Sequence, residues 1–157
     1  WSIRQRSRFV RFEVEEMRIV LPIEPKPQSR PRFARRGNYV QTYEDSAMRA
    51  YKQKVKAYLR KAKPELIEKG AIFAYVTFYV ATPKYLLSSK KKRLEVELER
   101  KYCDKKPDLD NYFKAVTDAA EGILYKNDGQ IAVMVCQKLY SMRARTEIEI
   151  MSLEEQK

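Results

Sequence analysis

The chain has 157 residues, with 33 Lys and Arg against 21 Asp and Glu, hence a formal charge of +12. Its 44% apolar content and seven prolines suit one folded domain with one core and exclude a low-complexity chain. The basic balance points to a polyanionic partner. The longest uncharged run, residues 70–83, is shorter than the ~18–20 apolar residues of a membrane span. A soluble, cytoplasmic protein with no membrane partner is expected.

Histidine is absent, which excludes Ser-His-Asp and Cys-His catalysis and the His-containing zinc sites. Cys103 and Cys136 form no C-x-x-C pair and are expected as reduced thiols. Glycines at 37, 70, 122 and 129 cannot build a phosphate loop or a dinucleotide fingerprint, so no nucleotide cofactor is expected. An enzyme of this composition must work with carboxylates, lysines and a hard metal ion.

Residues 1–16 read as an N-terminal extension upstream of a true start at Met17. Glu13-Val14-Glu15-Glu16 is what a purine-rich ribosome-binding sequence would encode in frame, and a genuine N-terminal strand or arm is the alternative. Residues 18–23 (RIVLPI) predict a strand ended by proline. Residues 24–38 read as a loop carrying Arg30-Pro31-Arg32-Phe33 and Arg35-Arg36, held extended so that Arg30 and Arg32 project on one side.

Thr42 and Asp45 form a weak capping box for a helix over residues 43–63. Its apolar stripe is Ala47, Tyr51, Val55, Tyr58, Leu59 and Ala62, and the face with Arg49, Lys52, Lys56 and Arg60 reads as solvated. Residues 71–81 (AIFAYVTFYVA), apolar on both faces, predict a central strand. Ser88 is expected to cap a helix reaching residue 99 that opens with Lys90, Lys91, Lys92 and Arg93. Four cations there oppose the helix dipole, a cost that a phosphate partner would offset. Residues 130–140 and 144–151 predict two strands joined as a hairpin, and residues 152–157 a fraying, flexible tail.

Residues 106–130 (KPDLDNYFKAVTDAAEGILYKNDGQ) carry the chemistry. A helix beginning near residues 108–110 gathers Leu109, Tyr112, Phe113, Val116, Ala119, Ala120 and Ile123 into an arc of roughly 120°. Asp110, Lys114 and Asp118 share a second face. Gly122 lies where the helix can end, and Asn127-Asp128-Gly129 predicts a turn. Ion pairs at i,i+4, each worth about 0.2–0.5 kcal/mol, account for Asp110, Lys114 and Asp118. They leave the crowding of Asp108 and Asp110 unexplained, which a hard divalent cation would relieve. On pattern alone, a capped helix and a metal site both stay open.

The whole string is more specific. Lys106-Pro107-Asp108-Leu109-Asp110-Asn111, Lys114, Asp118-Ala119, Gly122 and Asp128-Gly129-Gln130-Ile131 resemble the core of the RusA family. Those endodeoxyribonucleases resolve Holliday junctions and occur in bacteria and their phages. Arg30-Pro31-Arg32-Phe33, Lys84, the Ser-Lys-Lys-Lys-Arg run and Thr146-Glu147-Ile148-Glu149-Ile150 extend the likeness over residues 17–151.

The resemblance implies a homodimeric, Mg²⁺-dependent enzyme, with Mn²⁺ as a substitute, that cuts four-way junctions by paired symmetric nicks in DNA recombination and repair. It implies metal-binding carboxylates at Asp108, Asp110 and Asp128, a catalytic lysine at Lys114 and a supporting acid at Asp118. Asn127 stands where the family often has a further acid. Arg30, Arg32, Arg35, Arg36, Lys90, Lys91, Lys92 and Arg93 are candidate DNA-backbone contacts. The expected fold is a single compact α+β domain, a mixed sheet of about four strands with two to three helices. Competing expectations are a non-catalytic basic DNA-binding dimer, a nuclease for forks or flaps, and an RNA-binding protein whose aspartates are only caps.

Overall fold

The structure, a computed structural model, describes residues 16–154. In chain order its elements are β1 (Glu16–Leu21), β2 (Arg32–Arg36), β3 (Tyr39–Tyr43), α1 (Ser46–Lys61), β4 (Ile72–Ala81), α2 (Lys90–Glu97), α3 (Leu109–Ala120), β5 (Ile131–Ser141) and β6 (Arg145–Ser152). Short 3-10 turns lie at Lys84–Leu87 and Asp128–Gln130. A four-stranded sheet runs β1-β6-β4-β5, with β4 and β5 parallel and the other pairs antiparallel; β2 and β3 pair separately. This is the expected single α+β domain with a mixed sheet and three helices.

Strand alternation sends Ile19, Leu21, Ile72, Ala74, Val76, Phe78, Ile148 and Ile150 to one face. There they meet the 3.6-period stripes of α1 (Met48, Tyr51, Val55, Leu59) and α3 (Tyr112, Phe113, Val116, Ala119). The Phe78 and Tyr112 rings stack with centroids 5.4 Å apart, fixing α3 on the sheet. A smaller cluster of Leu86, Val96, Cys103 and Tyr140 seats α2. Beside Tyr79, its register partner on β4, Arg145 turns to the other side of the sheet, where it grips Glu99 at 2.6 and 2.8 Å. Both cysteines are free thiols. Among the described residues no helix is long and apolar enough to cross a membrane.

Several expectations are corrected. β5 and β6 do not form a hairpin, because β4 lies between them. Met142, Arg143 and Ala144 carry the chain across the end of β4, a gap of about 10 Å that three extended residues bridge easily. Residues 32–43 are a two-stranded ribbon instead of a loop, turning at Gly37, whose φ of +60° suits the first central position of a two-residue hairpin turn. Asp45, not Thr42, caps α1 by accepting from Met48 N at 2.8 Å. Ser89, not Ser88, caps α2, while the Ser88 hydroxyl donates to the Tyr85 carbonyl.

Of the expected tail, residues 155–157 lie outside the described residues. Ser152 is still in β6, and Leu153 N donates to the Ala71 carbonyl at 2.8 Å. The expectation for the first sixteen residues lies outside the described residues, except at Glu16, which opens β1 and pairs with Met151 of β6.

Candidate active site

The site is built around α3. Its apolar stripe is pulled onto the sheet, so Lys114 is left exposed and Asp118 half-exposed on the opposite side. Asp108 occupies the N-cap, with extended backbone (φ −69°, ψ 144°), yet its carboxylate makes no capping hydrogen bond. Asp110 follows in the first turn, exposed. Acidic side chains at this end are favoured by the helix dipole. Among the described residues neither aspartate makes an ion pair, so Asp110 does not join Lys114 as the i,i+4 pattern suggests.

The third acid is delivered by the turn after α3. Gly122 (φ +81°) reverses the chain, and the buried Tyr125 hydroxyl donates to the Thr117 carbonyl at 2.7 Å. Asn127 and Gln130 then form a reciprocal capping box: Asn127 accepts from Gly129 N at 2.7 Å and Gln130 Oε1 accepts from Asn127 N at 2.9 Å. Gln130 Nε2 anchors the turn to the Ile67 and Gly70 carbonyls. Asp128 is thereby fixed beside α3. Lys114 Nζ stands 2.8 Å from Asp118 Oδ1 and 3.5 Å from Asp128 Oδ2. Those carboxylates, Asp118 first, raise the lysine's pKa and keep it charged.

Two residues escape sequence reasoning. Lys52, placed there on a solvated face, is only 15% exposed; its Nζ lies 2.6 Å from Glu44 Oε1 and 3.5 Å from Asp118 Oδ2. Its hydrogen bond holds Glu44 below the usual carboxylate range. Its partners lie outside α1, which contains no acid, and no local spacing marks Lys52 out from the helix's other lysines. Lys138 of β5 donates to the carbonyls of Lys105 and, at 2.6 Å, Pro107, and so ties down the segment that ends at Asp108.

The basic residues divide. Arg30, Arg32, Arg35 and Arg36 are exposed on or beside the β2–β3 ribbon, and Lys90, Lys91 and Lys92 are exposed at the start of α2. Arg93 is engaged with Glu97 at 2.9 Å, within α2.

Among the described residues, no three His, Cys, Asp or Glu side chains stand together as a closed ligand set. Asp108, Asp110 and Asp128, the expected ligands, form no such closed set, and Asp128 turns an oxygen to Lys114. The donor chemistry nonetheless fits a hard divalent ion, since Asp108 and Asp110 offer neighbouring carboxylate oxygens with no ion-pair partner among the described residues.

Fold and site together define a basic α+β domain whose polar centre is one lysine held among aspartates, equipment for phosphodiester chemistry without histidine. Residues 22–151 match the family described as Endodeoxyribonuclease RusA, and the chain belongs to that family. It is 35% identical over 127 residues to the Uncharacterized protein YqaN of Bacillus subtilis (strain 168), which covers 81% of this chain and 89% of that protein. Membership makes the protein a DNA-directed endonuclease of a generally divalent-metal-dependent family, with branched DNA as the partner the family implies.

Proposed function

We propose that this protein is a Mg²⁺-dependent resolvase that cuts four-way DNA junctions by paired symmetric nicks, acting as a cytoplasmic homodimer in recombination and repair. Residues 17–151 are its catalytic unit. The reading is carried by Lys114, exposed yet held between Asp118 and Asp128, one helical turn beyond Asp110.

Asp108, Asp110 and Asp128 would hold Mg²⁺, or Mn²⁺ in its place, which would lower the pKa of an attacking water and offset charge on the phosphate. Lys114 would leave Asp128 for the scissile phosphate or assist departure of the 3′ oxygen. Asp118 keeps that lysine charged and aimed. The exposed arginines and lysines would track phosphates, fixing orientation without reading sequence. A four-way junction is two-fold symmetric, and a C2 dimer brings one site to each of two strands.

The test is incubation with a synthetic four-way junction, a linear duplex and a fork, each with Mg²⁺ or EDTA. The expected result is symmetric nicking of the junction in Mg²⁺ only. Preferred cutting of the fork would reassign the substrate to other branched DNA. Binding without cutting would make the protein a non-catalytic DNA-binding dimer.

A further inference from the structure

We propose that the β2–β3 ribbon is a base-stacking element that engages splayed nucleobases at a DNA branch point, an inference that rests on the junction reading above. Every residue of the two strands except Ala34 is exposed, so the ribbon buries neither face. It nevertheless carries Phe33, 72% exposed, Tyr39, 82% exposed, and also Val40 and Tyr43. An isolated two-stranded ribbon is marginal in water, and these side chains contribute no core. They are therefore available to a partner.

The ribbon's charge identifies that partner. No acidic residue lies between Glu24 and Glu44, while Arg30, Arg32, Arg35 and Arg36 fall within the interval. Cross-strand register sets Arg32 opposite Tyr43 and Arg36 opposite Tyr39 on one face, with Arg35 opposite Val40 and Phe33 opposite Thr42 on the other. Both faces thus alternate guanidinium with aromatic or apolar surface. Phosphate contacts alone need only the arginines. Aromatic side chains add affinity where a base presents its π-face, which a closed duplex hides and a branch point exposes.

The ribbon is also rooted at the site. At its leading end Gln28 N donates to the Asn111 carbonyl at 2.9 Å, in the first turn of α3. At its trailing end Glu44 joins Lys52, which joins Asp118. A base gripped by the ribbon is therefore held in fixed relation to Lys114.

The experiment is anisotropy binding in EDTA of wild type and the Phe33→Ala/Tyr39→Ala double variant. The probes are a four-way junction carrying 2-aminopurine at the branch, and a linear duplex. Loss of two stacking side chains is expected to weaken junction binding about tenfold or more while duplex binding stays within about twofold. The 2-aminopurine signal seen with wild type should disappear. The inference is overturned if the variant keeps the full junction preference, loses both DNAs equally, or sediments as a smaller oligomer, which would make the ribbon a contact between copies. A wild-type protein with no junction preference overturns the junction reading together with the inference.

Discussion

Lys52 Nζ on α1 stands 3.5 Å from Asp118 Oδ2 on α3, while Lys114 takes the other oxygen of the same carboxylate at 2.8 Å. Asp118 is thus shared between a shielded lysine and an exposed one, and the shielded lysine fixes its position. Lys52→Met keeps the apolar stem and removes the charge, leaving Glu44 and Asp118 short of a partner. Urea melts should show a loss of about 1–3 kcal/mol. Single-turnover junction cleavage should slow by roughly tenfold, by analogy with the loss of supporting residues around other sites, with binding in EDTA unchanged. Reduced stability with wild-type cleavage would assign Lys52 a purely structural role.

Asp108→Asn and Asp110→Asn separate folding from chemistry. Asp108 makes no capping hydrogen bond and Asp110 is exposed in the first turn, so stability should stay within about 0.5 kcal/mol of wild type. Cleavage should be abolished, while junction binding in EDTA holds or tightens because a negative charge near phosphate is gone. A variant of either residue that cuts at the wild-type rate would remove it from the site.

How much was legible in advance depended on the range of the interactions. The α3 helix could be read because its stripe, its acidic start and Gly122 are all local signals, and Tyr112 and Phe113 are buried as their spacing requires. The β5–β6 arrangement could not, because a three-residue link fits a hairpin as well as a step over β4. Only long-range pairing decides between them. The ribbon was hidden by its arginines and Pro31, which read as loop, and by strands that bury no face and so show no alternation. Lys52 and Lys138 were invisible for one reason: their partners, Glu44, Asp118 and two backbone carbonyls, lie on other elements.

Lys138→Met tests whether the segment before Asp108 must be held from β5. The Pro107 carbonyl, 2.6 Å from the lysine, loses its donor, and the Asp108 side chain loses its fixed origin. Junction cleavage should require a higher Mg²⁺ concentration, by roughly tenfold, as when supporting contacts around metal ligands are removed. Saturating Mg²⁺ should recover most of the rate. A uniform loss at all Mg²⁺ concentrations would point to misfolding instead, which the melting curve would reveal.

The arginines can be counted by salt. Each phosphate contact contributes about 0.9 to the slope of log K against log salt on duplex DNA. Replacing Arg30, Arg32, Arg35 and Arg36 together by Ala should flatten that slope by a corresponding amount for each arginine that touches phosphate. The Arg93→Ala change should matter less, since Glu97 already occupies that guanidinium. Equal slopes for wild type and the fourfold variant would place the phosphates elsewhere.

Acid stability should report on the far side of the sheet. Arg145 is 7% exposed, lies over the Tyr79 ring at 3.7 Å and grips Glu99 with two nitrogens. The hydrogen bond from Arg145 is the main cause holding Glu99 below its ordinary value of 4.5. The folded protein therefore binds fewer protons at this site than the unfolded chain. Its contribution is full above 4.5 and is lost as pH falls through the lowered value. Glu99→Gln leaves Arg145 with Glu147 at 3.2 Å as its remaining acid and should cost about 1–3 kcal/mol at pH 7, the range for a lost hydrogen bond to a charged group. That gap should narrow progressively in urea melts taken at descending pH below 4.5. A gap that stays constant across the acid range would show that the pair contributes through packing and hydrogen bonding instead of charge.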